Sequence, residues 1–233
     1  MPLRRQTTVH LPPLHSGTHN WQARDGIDRA TSSHLLGIDA MRVVAGVFRS
    51  RRLQAPKGKH VRPTTDAVKE SVFGILRSAV VEARVLDLFA GSGSLGIEAI
   101  SRGAGHVTFV DRSSSSIGAV RDNLLALGIP KSLTRVVRAD VRSALTGSGL
   151  PGPFDLIFLD PPYDTTLAHQ TLQSIGVVDG LLHPDGTVIA EHHPNATVID
   201  FYGELARVRV AKYGGSTVSF YGSPVPHDTE SDD

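Results

Sequence analysis

From residue 83 onward, short apolar runs alternate with segments whose apolar residues recur every three or four positions. Val85-Leu86-Asp87-Leu88, Val107-Thr108-Phe109-Val110 and Phe154-Asp155-Leu156-Ile157-Phe158-Leu159 have the composition of strands buried on both faces. The pattern predicts strands near 84–89, 106–111, 133–138, 154–160 and 186–191. It predicts helices near 94–102, 114–127, 141–146 and 166–176. Strand–helix alternation of this kind specifies an α/β fold with a parallel, doubly wound sheet. Two more strands, near 204–212 and 216–222, follow with no convincing helix between them. They read as an antiparallel hairpin closing one edge of the sheet.

Ahead of residue 83 the pattern changes. Residues 41–55 alternate roughly and predict a short hairpin. Thr64-Thr65-Asp66 is expected to cap a helix running to about Val81, with Val68, Val72, Phe73, Ile75 and Leu76 as its apolar face. Residues 1–40 are polar and aperiodic and are expected to be a disordered leader. Residues 223–233 are expected to be a disordered acidic tail. The organisation is thus a leader, a basic hairpin and helix over 41–82, an α/β domain over 83–222 and a tail.

Composition narrows the chemistry. The chain has 233 residues, 40% of them hydrophobic, which suits one α/β domain with a sizeable core. No apolar run approaches the roughly 18 residues of a membrane helix. With no cysteine, disulfides, thiolate metal sites and cysteine nucleophiles are excluded. That removes the covalent route by which C5 of a pyrimidine is methylated. An exocyclic amino nitrogen needs no such intermediate, because it is itself the nucleophile.

The net charge of +1 is uninformative, but its distribution is not. Between Met41 and Arg62 stand Arg42, Arg49, Arg51, Arg52, Lys57, Lys59 and Arg62, with no acid among them and Phe48 interleaved. This resembles a nucleic-acid surface, on which phosphate contacts supply most of the affinity. A solvated hairpin face is the plainer alternative. The histidines form no convincing ligand set, so no metal is expected, and His192-His193 is expected at the surface.

Two motifs carry the chemistry. In Asp87-Leu88-Phe89-Ala90-Gly91-Ser92-Gly93-Ser94-Leu95-Gly96, the glycines allow a tight turn between strand and helix and a close approach to a ligand. Asp111 ends the second strand, where a carboxylate can accept both ribose hydroxyls. This spacing also fits a dinucleotide site. Asp87 distinguishes the two, because an acid there opposes a pyrophosphate and suits a cationic ligand such as S-adenosylmethionine (SAM). A structural acid bonded to loop amides is the alternative. Asp140, ending the third strand, is placed to accept from an adenine amino group, or else only caps the next helix. Phe89, Ser92 and Arg112 flank these positions and are grouped with them as cofactor-binding candidates.

The second motif, Asp160-Pro161-Pro162-Tyr163, ends the fourth strand, where open α/β sheets bind ligands. Asp160 can accept from an NH2 group and orient its lone pair. The prolines stiffen the loop. Tyr163 can stack on a flipped base. Alone, the motif also fits a plain strand-ending turn. With the glycine loop at this spacing, it points to SAM-dependent methylation of an exocyclic amine.

The residues then resemble a specific family. Met41-Arg42-Val43-Val44-Ala45-Gly46, Arg62-Pro63-Thr64-Thr65-Asp66, the glycine loop through Ala99, and Asp160 to Tyr163 are similar to the bacterial RsmD-type methyltransferases across residues 41–222. The resemblance implies a Rossmann-like class I SAM-dependent fold. Its sheet has seven strands, mostly parallel with an antiparallel edge strand, and an N-terminal hairpin and helix precede it. It implies a cytoplasmic guanine-N2 methyltransferase of 16S ribosomal RNA, acting on the small subunit or an assembly intermediate. Asp87, Gly91, Gly93, Asp111 and Asp140 match the SAM-binding pattern, and Asp160, Pro161, Pro162 and Tyr163 the catalytic loop. Thr64 and Thr65 match a stretch close to the cofactor, and Asn123 one that braces the loop after the third strand. A monomer is expected, because the basic face must stay open.

Four other readings stay open on the sequence. Protein glutamine methyltransferases use a related loop that usually starts with Asn, and Asp160 argues against them. Adenine-N6 methylation of RNA or DNA uses the same loop, although no sizeable target-recognition domain is left over. A non-catalytic ribosome-assembly factor would have no need of the acids. An NAD-dependent oxidoreductase lacks an evident substrate domain.

Overall fold

The computed structural model describes residues 41–57, 64–147, 149–162 and 166–223. The leader 1–40, Lys59, Arg62, Tyr163 and the tail from 224 lie outside the described residues.

Helix α1 spans Asp66–Leu76. Strands and helices then alternate as β1 Arg84–Leu88, α2 Ser94–Ser101, β2 His106–Asp111, α3 Ser114–Ala126, β3 Thr134–Arg138, α4 Val141–Thr146, β4 Phe154–Leu159, α5 Leu167–Ile175 and β5 Leu182–His192. The chain ends in β6 Phe201–Tyr202, β7 Leu205–Tyr213 and β8 Ser216–Gly222. The sheet order is β3-β2-β1-β4-β5-β8-β7-β6. The first five strands pair in parallel, and β8, β7 and β6 continue the sheet antiparallel.

All seven expected strands are present. The eighth, β6, is only two residues long and offered no pattern to read. Strand β5 begins at Leu182 rather than near 186, because Pro184, Asp185 and Gly186 mask its start in the sequence. Helix α1 stops at Leu76, short of the expected Val81, where Arg77 takes φ 47° and a short 3-10 turn follows.

The sheet separates two apolar layers. Val72, Phe73, Ile97, Phe109 and Phe158 pack on one face with α1, α2 and α3. Leu86, Val110, Leu145, Ile157 and Leu172 pack on the other with α4 and α5. The alternation along β1 puts Val85 in the first layer and Leu86 and Leu88 in the second. Asp87 therefore faces the α2 side, beneath the glycine loop.

The predicted hairpin at 41–55 closes with a single antiparallel bridge, Arg42 to Arg52. Within it the N–H groups of Val43, Ser50 and Leu53 bond the carbonyls of Arg51, Val43 and Met41 at 2.9, 2.8 and 2.8 Å, and its tip turns to α2. The fully buried Glu98 accepts the N–H groups of Val44 at 2.7 Å and Ala45 at 3.0 Å. The Ser101 carbonyl accepts the Val47 N–H at 2.9 Å. Gly46, at φ +83°, approaches so closely that a Cβ there would lie 1.8 Å from that carbonyl oxygen. Lys69, also fully buried, donates to the Arg42 carbonyl and lies 3.5 Å from Asp66. The basic segment is thus pinned to the domain by two buried charges that its own sequence does not contain.

Candidate active site

The chain order of the sheet reverses between β1 and β4, and this is where open α/β sheets form their crevice. The carboxyl ends of these strands open into a cavity of about 680 Å³. Phe89 and Gly91 after β1, Asp111 and Arg112 after β2, and Asp140 after β3 all line it. Asp160, Pro161 and Pro162 after β4 complete that side, and α5 covers it with Gln170 and Ser174. Eight of the expected site residues, scattered from 89 to 162, thus meet on one wall.

Local geometry explains the glycines. Phe89, Gly91 and Gly93 take φ of 64°, 56° and 80°, and the left-handed region is cheap only for glycine. Gly93 opens α2. Gly96 lets that helix sit on the sheet, since a Cβ there would be 2.3 Å from Phe109 Cε1. Asp111 binds this loop to its own: Oδ2 accepts the Gly91 N–H at 3.0 Å and Oδ1 the Ser113 N–H at 2.8 Å. Asp140 lines the cavity and also caps α4, accepting from the Arg142 N–H at 3.0 Å. The capping reading of that residue therefore holds, and its place on the wall leaves an oxygen-bearing side chain beside the cavity.

Five expected cofactor residues do not line the cavity: Asp87, Ser92, Gly93, Thr64 and Thr65. Asp87 is buried and accepts the Gly96 N–H at 3.0 Å. Burial, reinforced by the nearby Asp111 charge and opposed by that hydrogen bond, raises its carboxyl to about pKa 7. It lies beneath the loop, off the cavity wall. Ser92 is buried, and its carbonyl accepts from Asn123 Nδ2 at 2.9 Å. Asn123 also exchanges hydrogen bonds with the Gln54 backbone at 2.8 and 3.0 Å. It therefore braces the loop after β1 and the basic segment, not the loop after β3, because α3 presents it towards α2. Thr65 caps α1, accepting from Val68 N–H at 3.4 Å. Thr64 donates its hydroxyl to Asp160 Oδ2 at 2.8 Å, so it is tied to the loop after β4 and not to the cavity wall itself.

Asp160 is the electrostatic focus. Burial, the charge of Glu191 and that of Asp87 push its carboxyl up to about pKa 8, while the Thr64 hydrogen bond opposes them. Glu191 was missed in the sequence. The available signal was an acid at the carboxyl end of β5, passed over for the histidines beside it. Those histidines also differ from expectation. His192 is buried, with Nε2 2.9 Å from Ser219 Oγ and Nδ1 3.0 Å from the His193 carbonyl. A polar partner on β8 makes its burial tolerable.

Of the basic residues, Arg42, Arg49, Arg51, Arg52 and Lys57 are exposed. Arg42 bonds Asp66 at 2.7 Å, the acid that opens α1. Among the described residues there is no cluster of three or more His, Asp or Glu able to hold a metal.

The wall suits a cationic nucleoside. Asp111, Asp140 and Asp160 line it with Asp87 behind, and a left-handed glycine turn gives close backbone approach. Acids in these positions disfavour a pyrophosphate and suit a ligand that carries positive charge and hydrogen-bond donors.

Two results follow. With a carboxyl raised to about 7, Asp87 is protonated in the ligand-free fold at low pH and charged above it. Its contribution to stability is full below the unfolded pKa and is lost as pH rises through about 7. Asp87→Asn keeps the Gly96 acceptor but cannot ionise. Its thermal midpoint should match wild type near pH 4 and exceed it at pH 8; equal midpoints at both values would contradict this. Thr64→Val removes the bond that lowers the Asp160 pKa. Its turnover should fall about tenfold, with the acid limb of the rate–pH profile moved to higher pH, and Thr64→Ser should restore both.

Known proteins share this arrangement. A family model described as Conserved hypothetical protein 95 matches residues 41–222. A Bacillus subtilis protein named "Putative rRNA methyltransferase YlbH" is 41% identical over 78% of this chain and 98% of its own. The Haemophilus influenzae "Ribosomal RNA small subunit methyltransferase D" is 33% identical over 68% and 82%. The solved structure titled "Putative methyltransferase yhhF from Escherichia coli" superposes with a TM-score of 0.70 at 28% identity, covering 79% of this chain and 98% of that one. The chain belongs to the Conserved hypothetical protein 95 family, the RsmD-type methyltransferases that its motifs resemble.

Proposed function

We propose that this protein methylates the exocyclic N2 of a guanine in 16S ribosomal RNA, using S-adenosyl-L-methionine. The observation that carries this reading is Asp160, held by Thr64 at the mouth of an acid-lined cavity and followed by two prolines on its wall. The names of the relatives support ribosomal RNA as the substrate.

SAM, when bound, supplies a methyl group made electrophilic by its sulfonium. The chain's residues supply position. Asp111 stands for the ribose hydroxyls and Asp140 for the adenine amino group. The Asp160 carboxylate accepts an N–H of the target amine, which turns the nitrogen lone pair towards the cavity. Pro161 and Pro162 hold that acceptor still. Asp160 need not be a strong base, because an amine becomes acidic once methylated, and its proton then passes to the carboxylate or to solvent. Tyr163 is the stacking platform in this reading. Arg49, Arg51, Arg52, Lys57, Lys59 and Arg62, with Arg42, contact RNA phosphates. The protein works in the cytoplasm as a monomer, on the small subunit or an assembly intermediate. Among the described residues no helix is long and apolar enough to cross a membrane.

The test is to incubate the protein with labelled SAM and small subunits lacking the modification, with naked 16S RNA in parallel, and to chromatograph the nucleosides. N2-methylguanosine is the expected product, and the better substrate reveals the assembly stage. N6-methyladenosine would overturn the base, and no label would overturn the substrate.

A further inference from the structure

The catalytic loop has two sides. One faces the large cavity. The other borders a recess of about 10 Å³ whose lining includes Asp160, Pro161, Pro162, Glu191, His192 and His193. Strands β4 and β5 run parallel, with Leu159 beside Ala190. Asp160 follows β4 directly and Glu191 is the last residue but one of β5, and both line this recess while only Asp160 lines the cavity. A space of this size takes one polar group and not a ring. The target base must lie across its mouth, with only an edge presented to the carboxyls.

We propose that Glu191 is the residue that selects guanine, its carboxylate accepting the N1–H while Asp160 accepts the adjacent amine. This rests on the guanine-N2 reading above. Guanine places N1–H and N2–H2 side by side, so that part of its edge offers donors only, with the O6 acceptor on the other side of N1. Two neighbouring carboxylates, when both are ionised, offer acceptors only. Adenine places a lone pair at N1 beside its amino group, and that lone pair faces the Glu191 oxygens in repulsion. A site with an unmet hydrogen-bonding group rejects the mismatched base more strongly than one that merely lacks a contact. The charge of Glu191 is, after burial, a cause of the raised Asp160 carboxyl, which places the two acids within electrostatic reach of each other.

The experiment uses 2-aminopurine, which keeps the exocyclic amine of guanine but has a lone pair at N1. The methylated position is first mapped with the wild-type protein. Small subunits are then reconstituted with 16S RNA carrying guanine or 2-aminopurine at that position. Wild type should favour guanine by about tenfold to a hundredfold in kcat/KM. Glu191→Gln should lower guanine methylation by a similar factor, reduce the preference to within about threefold and leave SAM affinity unchanged. Equal use of both bases by wild type would overturn the proposal without any variant. So would Glu191→Gln that keeps both the wild-type rate and the preference. If the wild type makes no N2-methylguanosine, it is the guanine-N2 reading that fails; if it does and 2-aminopurine serves equally well, only the role of Glu191 fails.

Discussion

Asp160→Ala should lower the rate of methyl transfer about a hundredfold to a thousandfold while SAM still binds within about tenfold of wild type. The size of the effect follows from what the residue does. Alanine removes the acceptor that fixes the amine, and with it the orientation that makes the reaction effectively intramolecular. The cofactor wall is left standing, because Asp111 and the glycine loop are held by their own hydrogen bonds to Gly91, Ser113 and Gly96. The fold should also survive. Asp160 is a half-buried acid whose carboxyl is raised to about 8, so it contributes strain to the ligand-free protein, and its loss relieves Glu191. Single-turnover rates and equilibrium binding of SAM separate the two effects. A variant that binds SAM normally and keeps a tenth or more of the wild-type rate would remove Asp160 from the catalytic role.

The contrast between Asp160 and Glu191 shows what the sequence made legible. Asp160 announces itself because Pro161, Pro162 and Tyr163 follow it and a matching glycine loop precedes it at the right spacing. Glu191 ends its strand in an unremarkable Ala190-Glu191-His192 and acquires meaning only when β5 is laid beside β4. The parallel strands were legible because each is a short apolar run bounded by turns, whereas β6 is too short to carry a period. Thr64 was found for the wrong contact. Its spacing to the cap of α1 is a local property, but its bond to Asp160 spans 96 residues. Asn123 shows the same limit, since a helix face is readable from the sequence and the loop it meets is not. Local chemistry was written in the order of residues; the partners across the sheet were not.

That limit is sharpest at Glu98, which looks like an ordinary polar position in a short helix and instead holds the basic segment to the domain. Glu98→Ala should cost about 3–5 kcal/mol. The carboxylate is fully buried and accepts from Val44, Ala45 and, at 2.7 Å, Arg102 Nε. Removing it strands two backbone N–H groups, each costing about 1–3 kcal/mol if left unmet. It also takes a favourable charge away from the buried Lys69, whose pKa is already lowered by burial. For a fold of this size the thermal midpoint should drop by about 6–20 °C. The damage should also be directional. With Val44 and Ala45 released, trypsin should cut faster at Arg49, Arg51 and Arg52, and KM for the RNA should rise more than KM for SAM. Glu98→Gln retains one strong acceptor and should fall between the two. A midpoint within about 3 °C of wild type would mean that the segment is held by Gly46 against Ser101 and by its apolar contacts alone, and that the buried carboxylate contributes no net stability.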